Sequence, residues 1–141
     1  MRRISATAAV GAAAAAVLTV AAAPAASATP VLAPPPYVDH VEWAKWGDLS
    51  SLRVYPTASG RDTSGRPGTA GQADQAWAEV LTLSPDAAIA GMREQFVCHW
   101  KFAEIFEPGK TSWNLEPWRP EVGEQEMVAA GCNPGGTEEP F

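Results

Sequence analysis

The chain contains two histidines and two cysteines, and these side chains are its most obvious candidates for catalysis or metal binding. Cys98 and His99 are adjacent, and neighbours on a helix point about 100° apart, so the two cannot easily act on one substrate atom. Adjacent ligands also do not match the spacing with which proteins chelate zinc. His40 follows Asp39 in a strand-like stretch. The pattern therefore predicts no catalytic pair, no metal site and no cofactor.

A second candidate site is the segment Trp113–Pro120, in which two tryptophans flank a carboxylate. Exposed indoles serve as platforms for sugars or protein partners, and loops on rigid scaffolds often carry function. A proline-pinned aromatic loop can also act as a lid over the core, with its own Glu and Arg paired inside it, and this interpretation is favoured. The candidate binding residues are Trp113, Asn114, Glu116, Trp118 and Arg119.

Catalysis would require a group such as His99 to act with a carboxylate such as Glu116 in an open cleft. The chain has 16 acidic residues, but no pattern pairs two of them across a cleft as a glycosidase needs. A glycine-rich phosphate loop, a hydrolase nucleophile elbow and an EF-hand loop are absent from the sequence. A small extracellular hydrolase that uses His99 and Glu116 is the alternative function.

The first 28 residues have the composition of a secretory signal peptide. Arg2 and Arg3 precede an Ala/Val-rich stretch, and Ala26-Ser27-Ala28 supplies the small-x-small pattern that signal peptidase cleaves. We expect residues 1–28 to be removed and the mature protein to be secreted, with no stable membrane insertion. Residues 29–36 contain four prolines, which predicts an extended lead-in.

The charge of the mature chain argues against nucleic acid as a partner. Without Arg2 and Arg3, eight basic residues remain against 16 acidic ones, so the formal net charge changes from −6 to −8. Such an excess of acids repels phosphate backbones and anionic bilayers. An unknown protein or an envelope polymer is the expected kind of partner.

Export also determines how the cysteines are interpreted. Cys98 and Cys132 form an even pair in a chain bound for an oxidising compartment, so they predict one disulfide. Closing a loop of this length would stabilise the fold by roughly 3–4 kcal/mol in the chain-entropy model.

The hydrophobic pattern predicts that the domain begins with two strands. Val38–Trp46 and Ser51–Tyr55 form a β-hairpin, and Leu52 and Val54 point to the same side of it. Residues 58–71 contain four glycines and little to bury, which predicts a long disordered loop.

Helices are expected in the second half of the chain. Gln72–Leu83 places apolar residues on one helical face, although a strand is also possible there. Ser84 predicts the start of a second helix, which should stop before Pro108. After the extended tryptophan segment, Pro120 can open a short last helix that Gly131 caps. The apolar stripe of the second helix comprises Ile89, Met92, Phe96 and Trp100.

Five blocks of the mature chain match a known family in order and spacing. They are Ser51–Thr57, Ala76–Val80, Met92–His99 (MREQFVCH), Trp113–Pro120 (WNLEPWRP) and Gly131–Gly135. The chain resembles the exported actinobacterial proteins of the domain of unknown function 2599 family over about Val38 to Gly136. The resemblance implies a secreted domain in which the two cysteines are a standing feature. It implies no reaction, cofactor or substrate.

We therefore expect a small α+β domain over residues 37–136, followed by a tail at 137–141. An N-terminal β-hairpin would pack against two or three helices, and the Cys98–Cys132 disulfide would close the structure. The expected function is that of an exported, non-enzymatic binding or interaction module of the cell envelope or medium.

Overall fold

The computed structural model describes residues 5, 7–9 and 11–136. The chain forms two separate units, Met1–Pro30 and Val31–Phe141. The described residues of the first unit form no helix or strand. No helix within the described residues is both long and apolar enough to cross a membrane. The tail predicted at 137–141 and the basic start at Arg2 and Arg3 lie outside the described residues.

The second unit contains a three-stranded antiparallel sheet in the order β1-β2-β3. The predicted hairpin is present, with β1 at Val38–Trp46 and β2 at Leu49–Pro56. The third strand is β3, Trp113–Leu115, which pairs with the other edge of β2. The sequence predicted only an extended loop there. A three-residue strand gives no periodicity, so its pairing depends on β2 being adjacent in space.

The alternation of β2 places apolar side chains on the helix-facing side of the sheet. Leu52 pairs with Leu115 and Val54 with Trp113, and all four side chains are buried. Residues two apart on a strand share one face, so the two pairs form a continuous apolar layer.

The segment predicted as a disordered loop is ordered, and this prediction is wrong. Residues Ala58–Thr63 form helix α1. The Thr57 hydroxyl caps the helix by accepting a hydrogen bond from Gly60 N at 2.9 Å. Thr57 N donates to Tyr37 O, and Gly65 N donates to Trp100 O. These long-range bonds replace the apolar side chains that the segment lacks.

Helix α2 spans Ala70–Leu83, which confirms the helix predicted there over the alternative strand. Its buried face includes Ala73, Trp77 and Val80.

Helix α3 spans Met92–Phe106 and ends before Pro108 as predicted, but it begins later than expected. The Ser84 signal opens only a 3₁₀ turn at Pro85–Ala87. Gly91 then adopts a positive φ of 84°, which separates this turn from the helix, and α3 begins at the next residue, Met92. Ile89 therefore lies outside the helix and is 41% exposed, whereas the rest of the predicted stripe is buried.

The core lies between the sheet and helices α2 and α3, and it contains a cluster of aromatic rings. The Phe96 ring is 5.5 Å from Trp77 and 5.9 Å from Trp113, between ring centroids. Trp100 lies 6.2 Å from Trp113 and 5.5 Å from Tyr37, both edge to face. Such pairs add to the stabilisation that burial of the rings provides.

Helix α4, Glu124–Ala129, packs against α3 at the other side. It begins four residues after Pro120, with Gly123 rather than the proline at its start. Gly131 and Cys132 both have positive φ and reverse the chain after the helix. Cys132 then reaches Cys98, and the predicted disulfide is present, with Cα atoms 5.6 Å apart. The α+β prediction is confirmed.

Candidate binding surface

The segment Trp113–Arg119 is mostly interior. Trp113 and Glu116 are fully buried, Asn114 and Arg119 are nearly so, and Trp118 is half-buried. The Trp113 ring belongs to the aromatic core. Burial thus favours the lid interpretation for this segment.

The Glu116 carboxylate lies at the centre of a buried polar network. Its Oε1 accepts a hydrogen bond from Ser51 Oγ at 2.9 Å, and its Oε2 accepts one from Arg119 Nε at 2.6 Å. The side chains of this ion pair are both 0% exposed. Arg119 Nη1 also donates to the carbonyl oxygens of Pro134 and Gly136. The pair therefore ties the sheet to the C-terminal segment, since a buried charge requires such partners.

Trp118 lies at the edge of this network. Its Nε1 donates to Ser50 O at 3.1 Å, and the Arg119 guanidinium lies 4.5 Å from the centre of its ring. One side of the indole is thus covered by a cation from the same chain.

The two histidines occupy unrelated positions. His99 is buried, and its Nδ1 lies 2.8 Å from Gln95 O on the same helix. It lines a small cavity of about 150 Å³ whose walls do not include Glu116. His40 is exposed on β1, where its ring stacks on Tyr55 and contacts Asp39. Over the described part of the chain, His99 and Glu116 do not share an open cleft, and no three His, Cys, Asp or Glu side chains are grouped to hold a metal.

The outer side of α3 carries two neighbouring, strongly exposed apolar side chains beside a half-buried phenyl ring. We call Phe102, Ile105 and Phe106 the α3 surface. Ile105 is 57% exposed and Phe106 is 76% exposed. The rings of Phe102 and Phe106 stack 5.9 Å apart, one helical turn from each other. These residues lie on α3 outside its buried apolar stripe, and no motif in the sequence marks them.

A cleft of about 490 Å³ lies along one side of the α3 surface. It runs between α3 and the residues from Gly65 to the start of α2, and we call it the Trp100 cleft. Its apolar walls include Pro67, Ala70, Ala73, Val97, Trp100 and Ile105. Ligand pockets of 300–1,000 Å³ with mostly apolar walls are typical of small-molecule sites.

A second cleft, of about 220 Å³, lies between α3 and α4 and is called the α3–α4 cleft. Val97, Met127 and Cys98 are among its apolar walls. The Lys101 side chain reaches from α3 to α4, where its Nζ donates a hydrogen bond to Glu124 Oε1 at 2.5 Å. This hydrogen bond, followed by the charge of the same ammonium group, holds the pKa of Glu124 below its ordinary value of 4.5.

Comparison with known proteins identifies relatives but no activity. The model of a family described as "Protein of unknown function (DUF2599)" matches residues 38–135. Uncharacterized proteins of Mycobacterium tuberculosis and Mycobacterium bovis are each 65% identical to the chain over 107 residues, which is 76% of this chain and 72% of theirs. An uncharacterized protein of Mycobacterium leprae is 52% identical over 103 residues, which is 73% of this chain and 83% of its own length. No solved structure matches. The chain therefore belongs to the DUF2599 family.

Proposed function

We propose that this protein is an exported, non-enzymatic binding module that holds an apolar small molecule of the envelope or medium against the outer side of α3. The observation that carries the proposal is the exposure of Ile105 and Phe106, together with the half-buried ring of Phe102, beside the Trp100 cleft. Fully burying one such side chain contributes about 1.5–3 kcal/mol, so contact with an apolar ligand would be favourable. Exposed apolar groups clustered in this way commonly mark interaction sites.

Export is supported by two independent features. The leader at residues 1–28 has the signal-peptide pattern, and the Cys98–Cys132 disulfide requires an oxidising compartment to persist. The product recovered from the medium of the native host should begin at Thr29. A product that begins at Met1 and contains two free thiols would contradict export.

A binding role rather than catalysis is supported by how the reactive side chains are used. Glu116 and Arg119 neutralise each other inside the fold, and His99 contacts its own helix. General acid–base catalysis needs a group within hydrogen-bonding reach of a bound substrate. In this proposal the Trp113–Arg119 segment stabilises the fold, and the ligand lies elsewhere.

Site-specific photo-crosslinking in the native host tests the proposed surface. A photoreactive amino acid replaces Ile105, and the matched control replaces Leu83, which is 49% exposed at the end of α2. We expect an adduct of small-molecule mass at position 105 and none at position 83. An adduct with the mass of a protein chain, or equal labelling at both positions, would overturn the proposal.

A further inference from the structure

The Trp100 cleft combines apolar walls with a concentration of positive charge that is unusual for this chain. Arg66, Arg93 and Lys101 line it, and Asp74 is its only acidic lining residue among those described. The whole chain, in contrast, has 16 acidic and 10 basic residues. The residues that line the cleft therefore carry three positive charges against one negative charge, and the acids that pair with Arg66 and Lys101 lie outside it. Such a lining favours an anion over a neutral or cationic ligand.

The three cations already take part in ion pairs, but these are exposed and easily exchanged. Arg66 pairs with Asp62, Arg93 with Asp74, and Lys101 with Glu124, at 2.5–2.7 Å. All six side chains are between 39% and 76% exposed. Exposed ion pairs contribute little to stability, so a ligand carboxylate could replace or share these partners at small cost.

The walls between these cations suit the other half of an amphiphile. Trp100 is almost fully buried beneath the cleft, and Val97 and Ile105 form the α3 wall. Gly68 on the opposite wall has no atom within 4 Å of where a side chain would begin, so the space beside it is open. A flexible alkyl chain fits a site with apolar walls and charge at its rim.

We propose, on the basis of the function proposed above, that the ligand is a single-chain amphiphile with a carboxylate head. Its alkyl chain lies in the Trp100 cleft, and its carboxylate lies among Arg66, Arg93 and Lys101. The apolar walls determine the affinity for the alkyl chain of the ligand, and the cations select an anionic head group over a neutral one.

Calorimetric titration of the mature protein with dodecanoate, below its micelle concentration, tests this inference. Dodecanol, with the same chain and no charge, and acetate, with the charge and no chain, are the matched ligands. We expect saturable binding of dodecanoate that is about tenfold tighter than binding of dodecanol, and no binding of acetate.

Variants then assign the site. Arg66→Ala and Arg93→Ala should each weaken dodecanoate binding by about tenfold, whereas Lys45→Ala on β1 removes the same charge and should leave it unchanged. Ile105→Asp should weaken binding strongly, and Leu83→Asp should not. Val128 lines the α3–α4 cleft and the cavity beside His99 but not the Trp100 cleft, so Val128→Asp should also have no effect. Thermal melting of each variant confirms that the fold is retained.

Failure of this inference and failure of the proposed function would give different results. Equal affinities for dodecanol and dodecanoate, together with no effect of Arg66→Ala on dodecanoate binding, would show that the carboxylate head is not recognised. The inference would then fail, while the proposed binding of an apolar ligand would stand. Loss of binding in Val128→Asp but not in Arg66→Ala would move the ligand to the other cleft and overturn this inference. If neither amphiphile binds and position 105 gives no adduct, the proposed function itself fails.

Discussion

The side-chain amide of Gln95 pairs with the backbone of Glu116 in both directions. Its Nε2 donates to Glu116 O, and its Oε1 accepts from Glu116 N, both at 2.9 Å. Gln95 is buried in α3, so it satisfies two polar backbone groups that have no access to water. This contact joins the helix to the residue that follows β3. Gln95 and Glu116 lie in two of the five sequence blocks that match the family, MREQFVCH and WNLEPWRP, so the contact gives part of each block a structural role.

Replacing Gln95 with Ala should destabilise the domain strongly. Both hydrogen bonds are lost, and a buried N–H and C=O are left without partners, so we expect a loss of about 2–4 kcal/mol. The measurement is the free energy of unfolding in urea. Gln75→Ala, on the exposed side of α2, is the matched control and should change it by less than about 0.5 kcal/mol. Equal effects of the two variants would contradict the role of the Gln95 contact.

The two tryptophans of the WNLEPWRP block should differ sharply in their effect on stability. Trp113→Ala empties a fully buried core position and should cost about 3–5 kcal/mol. Trp118→Ala removes a half-buried ring and one hydrogen bond, so a loss of about 1–2 kcal/mol is expected. Chemical denaturation of both variants checks the order. If Trp113→Ala leaves the domain as stable as the wild type, Trp113 is not a core residue.

Reduction of the Cys98–Cys132 disulfide should lower the free energy of unfolding by roughly 3–4 kcal/mol, because the separation of 34 residues sets the loop entropy of the unfolded chain. The urea midpoint with and without dithiothreitol measures the effect. The double variant Cys98→Ala with Cys132→Ala is the control, and its midpoint should not respond to the reductant. A reductant-sensitive midpoint in the double variant would point to another cause.

The ion pair between Lys101 and Glu124 should make part of the stability dependent on pH. The pKa of Glu124 is lowered in the folded state, mainly by its hydrogen bond from Lys101. Its contribution is therefore present above the ordinary value of 4.5 and disappears as the pH falls through the lowered value. The melting temperatures of the wild type and Glu124→Gln should differ near neutral pH and converge in acid. In a Lys101→Met background, the Glu124→Gln difference should already be small near neutral pH.

The periodicity of apolar residues was sufficient to predict a strand or helix where that spacing matches the face that the element buries. The alternation of Leu52 and Val54 and the helical spacing of Met92, Phe96 and Trp100 follow directly from the faces that those elements bury. The disulfide was predictable because only two cysteines are present. The ordered helix at Ala58–Thr63 was not predictable from the sequence. Backbone hydrogen bonds of the flanking Thr57 and Gly65 to Tyr37 and Trp100 hold this segment, which has few apolar side chains.

The amino-acid sequence by itself determined the leader pattern, the disulfide partners, the hairpin and the family. These depend on residue type and short-range spacing, which are visible along the chain. The sequence already indicated that Glu116 and Arg119 pair within their own segment. Only the tertiary structure decided that this pair is fully buried and that Ile105 and Phe106 face outward. Whether a charge is buried or an aromatic ring is exposed depends on what packs against it in space. The groups that cover the Glu116–Arg119 pair, such as Ser51 and the carbonyl of Pro134, come from other elements of the fold.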